Sequence, residues 1–113
     1  MISLEVFRKI ALSFPESVEL PHFEKQSFRV NKKIFATHDL KYNRAVVKLS
    51  MIDQSVFTSF DKSIIYPATG NWGKQGWTVI ELKKVKKDLL SDVLTNAYCT
   101  VTPKRLSQKY LQK

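Results

Sequence analysis

One stretch limits the fold more than any other: Gly70-Asn71-Trp72-Gly73-Lys74-Gln75-Gly76-Trp77-Thr78-Val79-Ile80-Glu81-Leu82. It holds all three glycines and both tryptophans of the chain. Glycine has no Cβ and takes positive φ without penalty, so residues 70–76 read as a glycine-rich loop. The loop runs into a strand over Trp77 to Ile80. Alternation puts Trp77, Val79 and Glu81 on one face and Thr78, Ile80 and Leu82 on the other. Trp72 and Lys74 fall at the loop tip, where an indole and an ammonium suit base stacking and phosphate contact. Trp77, within the strand, is expected to cap the core. For Trp72, core and surface stand as equal alternatives.

The rest of the chain supplies the partners this strand needs. Ser3 is placed to cap a first helix over about residues 3–14, with Glu5 in its first turn. Val6, Phe7, Ile10, Ala11 and Phe14 form its inward stripe, and Pro15 ends it. Short runs with a two-residue period follow, from Val18 to Leu20, Gln26 to Val30, Lys33 to Thr37 and Arg44 to Leu49. Pro21 is expected to end the first of these, and Asn31 suits a tight turn. The result is an antiparallel meander. Its turns carry Lys32 and Lys33 on one side and Lys41 and Arg44 on the other, with Arg29 pointing away from Phe28 and Val30. Ser50 begins a second helix whose Ile52, Val56, Phe57 and Phe60 are expected to lie on the sheet. Ile64 to Tyr66 is a brief extended run. A third helix starts near Lys86 or Lys87, with Val85, Leu89, Leu90, Val93, Leu94, Ala97 and Tyr98 inward. Thr102 as N-cap and Pro103 at the first helical position open a last short helix, with Leu106 and Tyr110 facing in.

Residues 1–113 read as one domain, large enough for a modest core without staples. No apolar run approaches a membrane span or a cleavable leader, and the single cysteine, Cys99, excludes an internal disulfide framework. A cytoplasmic protein is expected. The catalytic inventory is thin. His22 and His38 have no metal-ligand spacing to each other or to Cys99, and each reads as a surface or hydrogen-bonded sheet residue. Gly70, Gly73 and Gly76 match no nucleotide-loop spacing. Neither an enzyme nor a cofactor is expected.

Charge is the strongest compositional signal: 19 Lys and Arg against 10 Asp and Glu give a net charge of +9. It gathers late. Residues 83–113 set eight basic side chains against Asp88 and Asp92, whereas residues 1–30 are balanced. A basic end on a neutral body fits a polyanionic partner, although solvated lysines give the same composition.

Several motifs together resemble the MmcQ/YjbR family of small bacterial proteins. Phe14-Pro15 ends the first helix. Phe28-Arg29-Val30-Asn31-Lys32-Lys33-Ile34-Phe35-Ala36 is similar to the family's F-x-V-x-x-K-x-F-A hairpin. Val47-Lys48-Leu49 precedes the second helix, and Lys74-Gln75-Gly76-Trp77 resembles a K-x-x-W approach to the last strand. Leu94 to Tyr98 and Thr102 to Leu106 resemble the paired C-terminal segment. Asn31 and Lys32 depart from the two glycines common in that turn, and Ala97 from a common serine. The resemblance implies an α+β, two-layer sandwich, frataxin-like, with helices on one face of a curved antiparallel sheet. It also implies DNA binding through paired hairpin wings. Clustered carboxylates for iron are lacking near the first helix.

The expected function is therefore DNA binding by mainly non-specific backbone contacts, with DNA favoured over RNA and a monomer favoured. The side chains expected to carry it are Arg29, Lys32, Lys33, Lys41, Arg44, Trp72, Lys74, Lys104 and Arg105. The alternative is a module that binds a protein or a small anionic ligand through the Trp72/Lys74 loop. One continuous basic stripe favours the first reading; lysines scattered around an aromatic pocket favour the second.

Overall fold

Ser3 starts the fold as expected, accepting a hydrogen bond from the Val6 N–H at 3.2 Å and capping helix α1, Leu4–Leu12. The computed structural model describes residues 1–111. Strands β1 (Val18–His22), β2 (Lys25–Val30), β3 (Lys33–Asp39) and β4 (Arg44–Lys48) follow, then helix α2 (Met51–Thr58). Strand β5 (Ile65–Pro67), a one-turn helix α3 (Asn71–Lys74), strand β6 (Trp77–Glu81) and helices α4 (Lys87–Val101) and α5 (Lys104–Leu111) complete the chain. The six strands form one antiparallel sheet in the order β1-β2-β3-β4-β6-β5. This is the α+β sandwich anticipated from the sequence.

Alternation divides the sheet into two faces. Phe28, Val30, Ala36, Ala45, Val47 and Ile80 are fully buried beneath the helices. The pairing of β2 with β3 slips between Phe28 and Arg29, where Phe28 pairs with Ala36 but Arg29 with Ile34. The extra residue is Phe35. The bulge brings it into the core beside Ala36, against the rings of Phe14 and Tyr98 at 6.1 and 5.7 Å. Tyr98 also stacks on Phe14 at 4.7 Å, and its hydroxyl donates to the Pro15 carbonyl, so the tyrosine is buried with its polar end satisfied.

Local expectations fail at four places. Pro21 does not end β1, which runs on to His22; an edge strand tolerates a residue without an N–H. Residues 70–76 are not all loop, because α3 forms one helical turn inside them. Thr102 caps nothing in α5. It closes α4, its hydroxyl donating to the Tyr98 carbonyl, while the Pro103 carbonyl accepts the first bonds of α5. The fourth is α2, whose Ile52 and Val56 face solvent, as does Phe60 just past its end. Its docked side carries Phe57 and Gln54. The Gln54 amide donates to the carbonyls of Gly73 and Trp77 and to the Thr78 hydroxyl. Helix α2 docks largely by bonding to backbone and a hydroxyl, and hydropathy does not register that requirement.

His38 is a further departure. It is 1% exposed on the core face of β3, edge-on to Phe7 at 5.1 Å, and neither ring nitrogen has a hydrogen-bond partner among the described residues. Burial pushes its pKa below 6.5, partly opposed by Asp39 and Glu19. Cys99 is half-buried, and burial raises its pKa.

Candidate functional site

Among the described residues, no helix lies across the second face of the sheet; only the short turn α3 borders it. Across its middle, register aligns Leu20, Ser27, Thr37, Val46, Val79 and Tyr66. Trp77 is also here, half-buried at the start of β6, and not in the core where it was expected. The strand was read correctly, but its inward residues are Thr78 and Ile80, so the register turns Trp77 outward. Lys48, its pairing partner, holds its ammonium 5.6 Å from the indole and donates to the Gln75 carbonyl.

Trp72 is 63% exposed, which settles its two alternatives in favour of the surface. Its mount is rigid. A Cβ on Gly73 would lie 2.1 Å from the Ala68 carbonyl oxygen, and one on Gly76 would lie 1.9 Å from that of Leu49. Gly76 also has φ 101°. These two glycines let α3 press against neighbouring backbone, and Gln54 fastens it from the far side. Between Trp72 and Trp77 on one side and His22 and Lys25 on the other lies a recess of about 410 Å³, floored by Ile34, Thr37 and Val46. No carboxylate lines it.

The structure distributes the expected cations over both ends of the sheet. Lys32 lies in the β2–β3 turn and Lys33 opens β3 beside it; Asn31 and Lys32 have φ 50° and 70°. Asn31 and Lys33 share a groove of about 330 Å³ with Thr100 to Pro103, so this turn adjoins the start of α5, where Lys104 and Arg105 are exposed. Lys74 ends α3 at the same end of the sheet. Lys41 and Arg44 flank the β3–β4 turn at the opposite end, both beside the Tyr42 ring. The expected cations thus form two clusters at opposite ends, as the alternating turns of the meander require, and not one continuous stripe.

Two of the expected cations are already engaged. Arg44 donates to Glu81 at 2.8 Å, and Glu81 also accepts from the Tyr66 hydroxyl. The Arg44 pKa rises through that bond, and that of Tyr66 through burial and then Glu81. Arg105 pairs with Glu16 at 2.8 Å, which raises the arginine and lowers the carboxyl. Arg29, on the uncovered face, donates to the Ser27 hydroxyl and lies 3.4 Å from His22 Nδ1.

Sequence reasoning missed the β1–β2 turn. Phe23 is 93% exposed, has φ 58° and contacts the His22 ring at 4.8 Å. Two-residue turns with positive φ at the first position favour glycine there. A phenylalanine two residues before Lys25, with no glycine between the strands, was the available signal.

No helix of the described residues is long and apolar enough to cross a membrane. A comparison with curated proteins returns no match. Among solved structures, the chain is similar to the crystal structure of Deinococcus radiodurans protein DR2400, which carries a DUF419 domain. The TM-score is 0.79 at 20% identity, over 96% of this chain and 88% of that one, a likeness that establishes the fold. The YjbR family model matches residues 12–100, nearly the whole described sandwich from the end of α1 through α4, and the chain therefore belongs to the YjbR family.

Proposed function

We propose that this chain is a non-enzymatic, cytoplasmic DNA-binding protein that holds phosphate backbones without sequence preference. One observation carries the reading: among the described residues, no lysine is in an ion pair. The ion pairs use Arg8, Arg44 and Arg105 alone. The fold does not draw on its lysines for internal pairing, and they remain available to a polyanion. Lys32, Lys33 and Lys104 gather where the β2–β3 turn meets α5, and Lys74 lies at the same end of the sheet. With Arg105 and Arg44 held by carboxylates, the contact falls chiefly to these lysines, with Lys41 and Arg29 next.

The double substitution Lys32→Glu with Lys33→Glu tests this. Both residues are exposed at a turn, so the melting temperature is expected to hold while affinity for DNA drops at least tenfold at low salt. Unchanged affinity would remove the turn from the interface. The second reading, a small anionic ligand at the Trp72/Lys74 loop, is favoured by the aromatic recess and its lack of carboxylates.

A further inference from the structure

We infer that the uncovered sheet face takes a single strand, with one unpaired nucleobase seated in the recess between Trp72 and the His22–Lys25 turn. The inference rests on the nucleic-acid reading above and names the form of nucleic acid.

Its first support is shape. A recess of about 410 Å³ lies within the range of sites for small planar ligands. Its floor is apolar apart from the Thr37 hydroxyl and its rim bears two indoles, so it offers π-faces and few directional polar groups. That combination stacks any base with little discrimination. A base inside a duplex is stacked and paired and cannot enter.

Charge is the second. Lys25 lines the recess, and Arg29 and Lys48 lie on the same sheet face; of the carboxylates on that face, Glu81 is held by Arg44 and Tyr66, and Asp39 accepts from the Lys41 N–H. An anionic strand meets ammonium and guanidinium groups on either side of the ring it inserts. A cationic or neutral planar ligand gains nothing from them.

The third is conformational. Trp72 is exposed on a helical turn that two glycines and Gln54 hold fixed. Next to His22, which lines the recess, Phe23 is almost wholly exposed in a backbone conformation that disfavours a bulky residue. Neither ring contributes much to the core. Trp72 lines the recess and Phe23 packs on the His22 ring at its edge, the latter against the preference of its own turn.

The shared chemistry is a nucleobase with its phosphate, whether in a strand or free, and the experiment separates the two. The full chain is titrated into a labelled oligothymidylate, an abasic strand of the same length, a duplex of that length and unlabelled thymidine monophosphate, following anisotropy and tryptophan emission. The thymidine strand is expected to bind about tenfold or more tighter than the abasic strand, with quenching. Trp72→Ala should remove that margin. Phe23→Gly should narrow it while leaving the melting temperature equal or higher, since glycine relieves the positive φ. Equal affinity for abasic and thymidine strands overturns the base-seating inference and leaves the phosphate reading intact. Quenching by the mononucleotide without binding of any strand keeps the recess chemistry but overturns the strand. Binding of none overturns both.

Discussion

The two faces of the sheet are cut from the same strands by alternation, yet one is finished and the other is not. The covered face fills with Phe28, Phe35, Val47, Ile80 and Tyr98, all fully or nearly fully buried. Its polar members are mostly satisfied, as with Thr78, and His38 is the exception. The uncovered face keeps apolar residues too, but interleaves them with Lys25, Arg29 and Lys48 and leaves Trp72 in solvent. A face built only for solubility has no need of indoles on a rigid mount. The contrast teaches where stability and binding should separate.

The sharpest way to break the comparison is to truncate one aromatic from each face. Phe28→Ala should cost about 3–5 kcal/mol of folding free energy, read from the urea midpoint. Trp72→Ala should change stability by less than about 0.5 kcal/mol. Similar losses from both would mean that the two faces are not functionally distinct.

A smaller effect addresses the mount between them. Gly76→Ala places a methyl against the Leu49 carbonyl at positive φ and should cost at least about 1–3 kcal/mol. Gln54→Leu leaves the Gly73 and Trp77 carbonyls without their amide donor, for about 1–3 kcal/mol. If either variant melts like the parent, α3 is not held as described.

The next effect is pH-dependent. His38 is buried without a partner and its pKa lies below 6.5 in the folded chain, so the unfolded chain takes up the proton first. Stability is therefore full above about pH 6.5 and declines as pH falls from there toward the folded value. Asp39 and Glu19, which favour the charged ring, moderate the slope. Urea midpoints at pH 7.5, 6.5 and 5.5 should fall for the parent and stay more nearly level for His38→Leu. Equal slopes would mean that the ring is not buried neutral.

Much of this was legible in the chain. Alternation along Trp77 to Leu82 assigned both faces of β6, and Ser3 and Ser50 marked helix starts that the structure repeats. Opposite placement of Lys32 and Lys41 also followed from counting turns. Other features were hidden for physical reasons. Periodicity says that Ile52, Val56 and Phe60 share a side, but not that Gln54 on the other side ties the helix to the buried Gly73 carbonyl and the half-buried one of Trp77. Strand membership placed Trp77 in a strand without saying which face the helices would choose. The recess depends on bringing the β1–β2 turn across from α3, a relation that appears only once strand order is known. Phe23 was readable as odd, yet its packing on His22 at the edge of the recess was not.

The most direct test of the central claim is the salt dependence of binding to labelled duplex DNA. If Lys32, Lys33, Lys74 and Lys104 each neutralise one phosphate, log affinity should fall against log salt with a slope of about −3.6. The Lys32→Glu, Lys33→Glu variant should flatten it by at least half. A slope near zero, or no binding at low salt, would contradict the account and leave the +9 charge with a solubilising role alone.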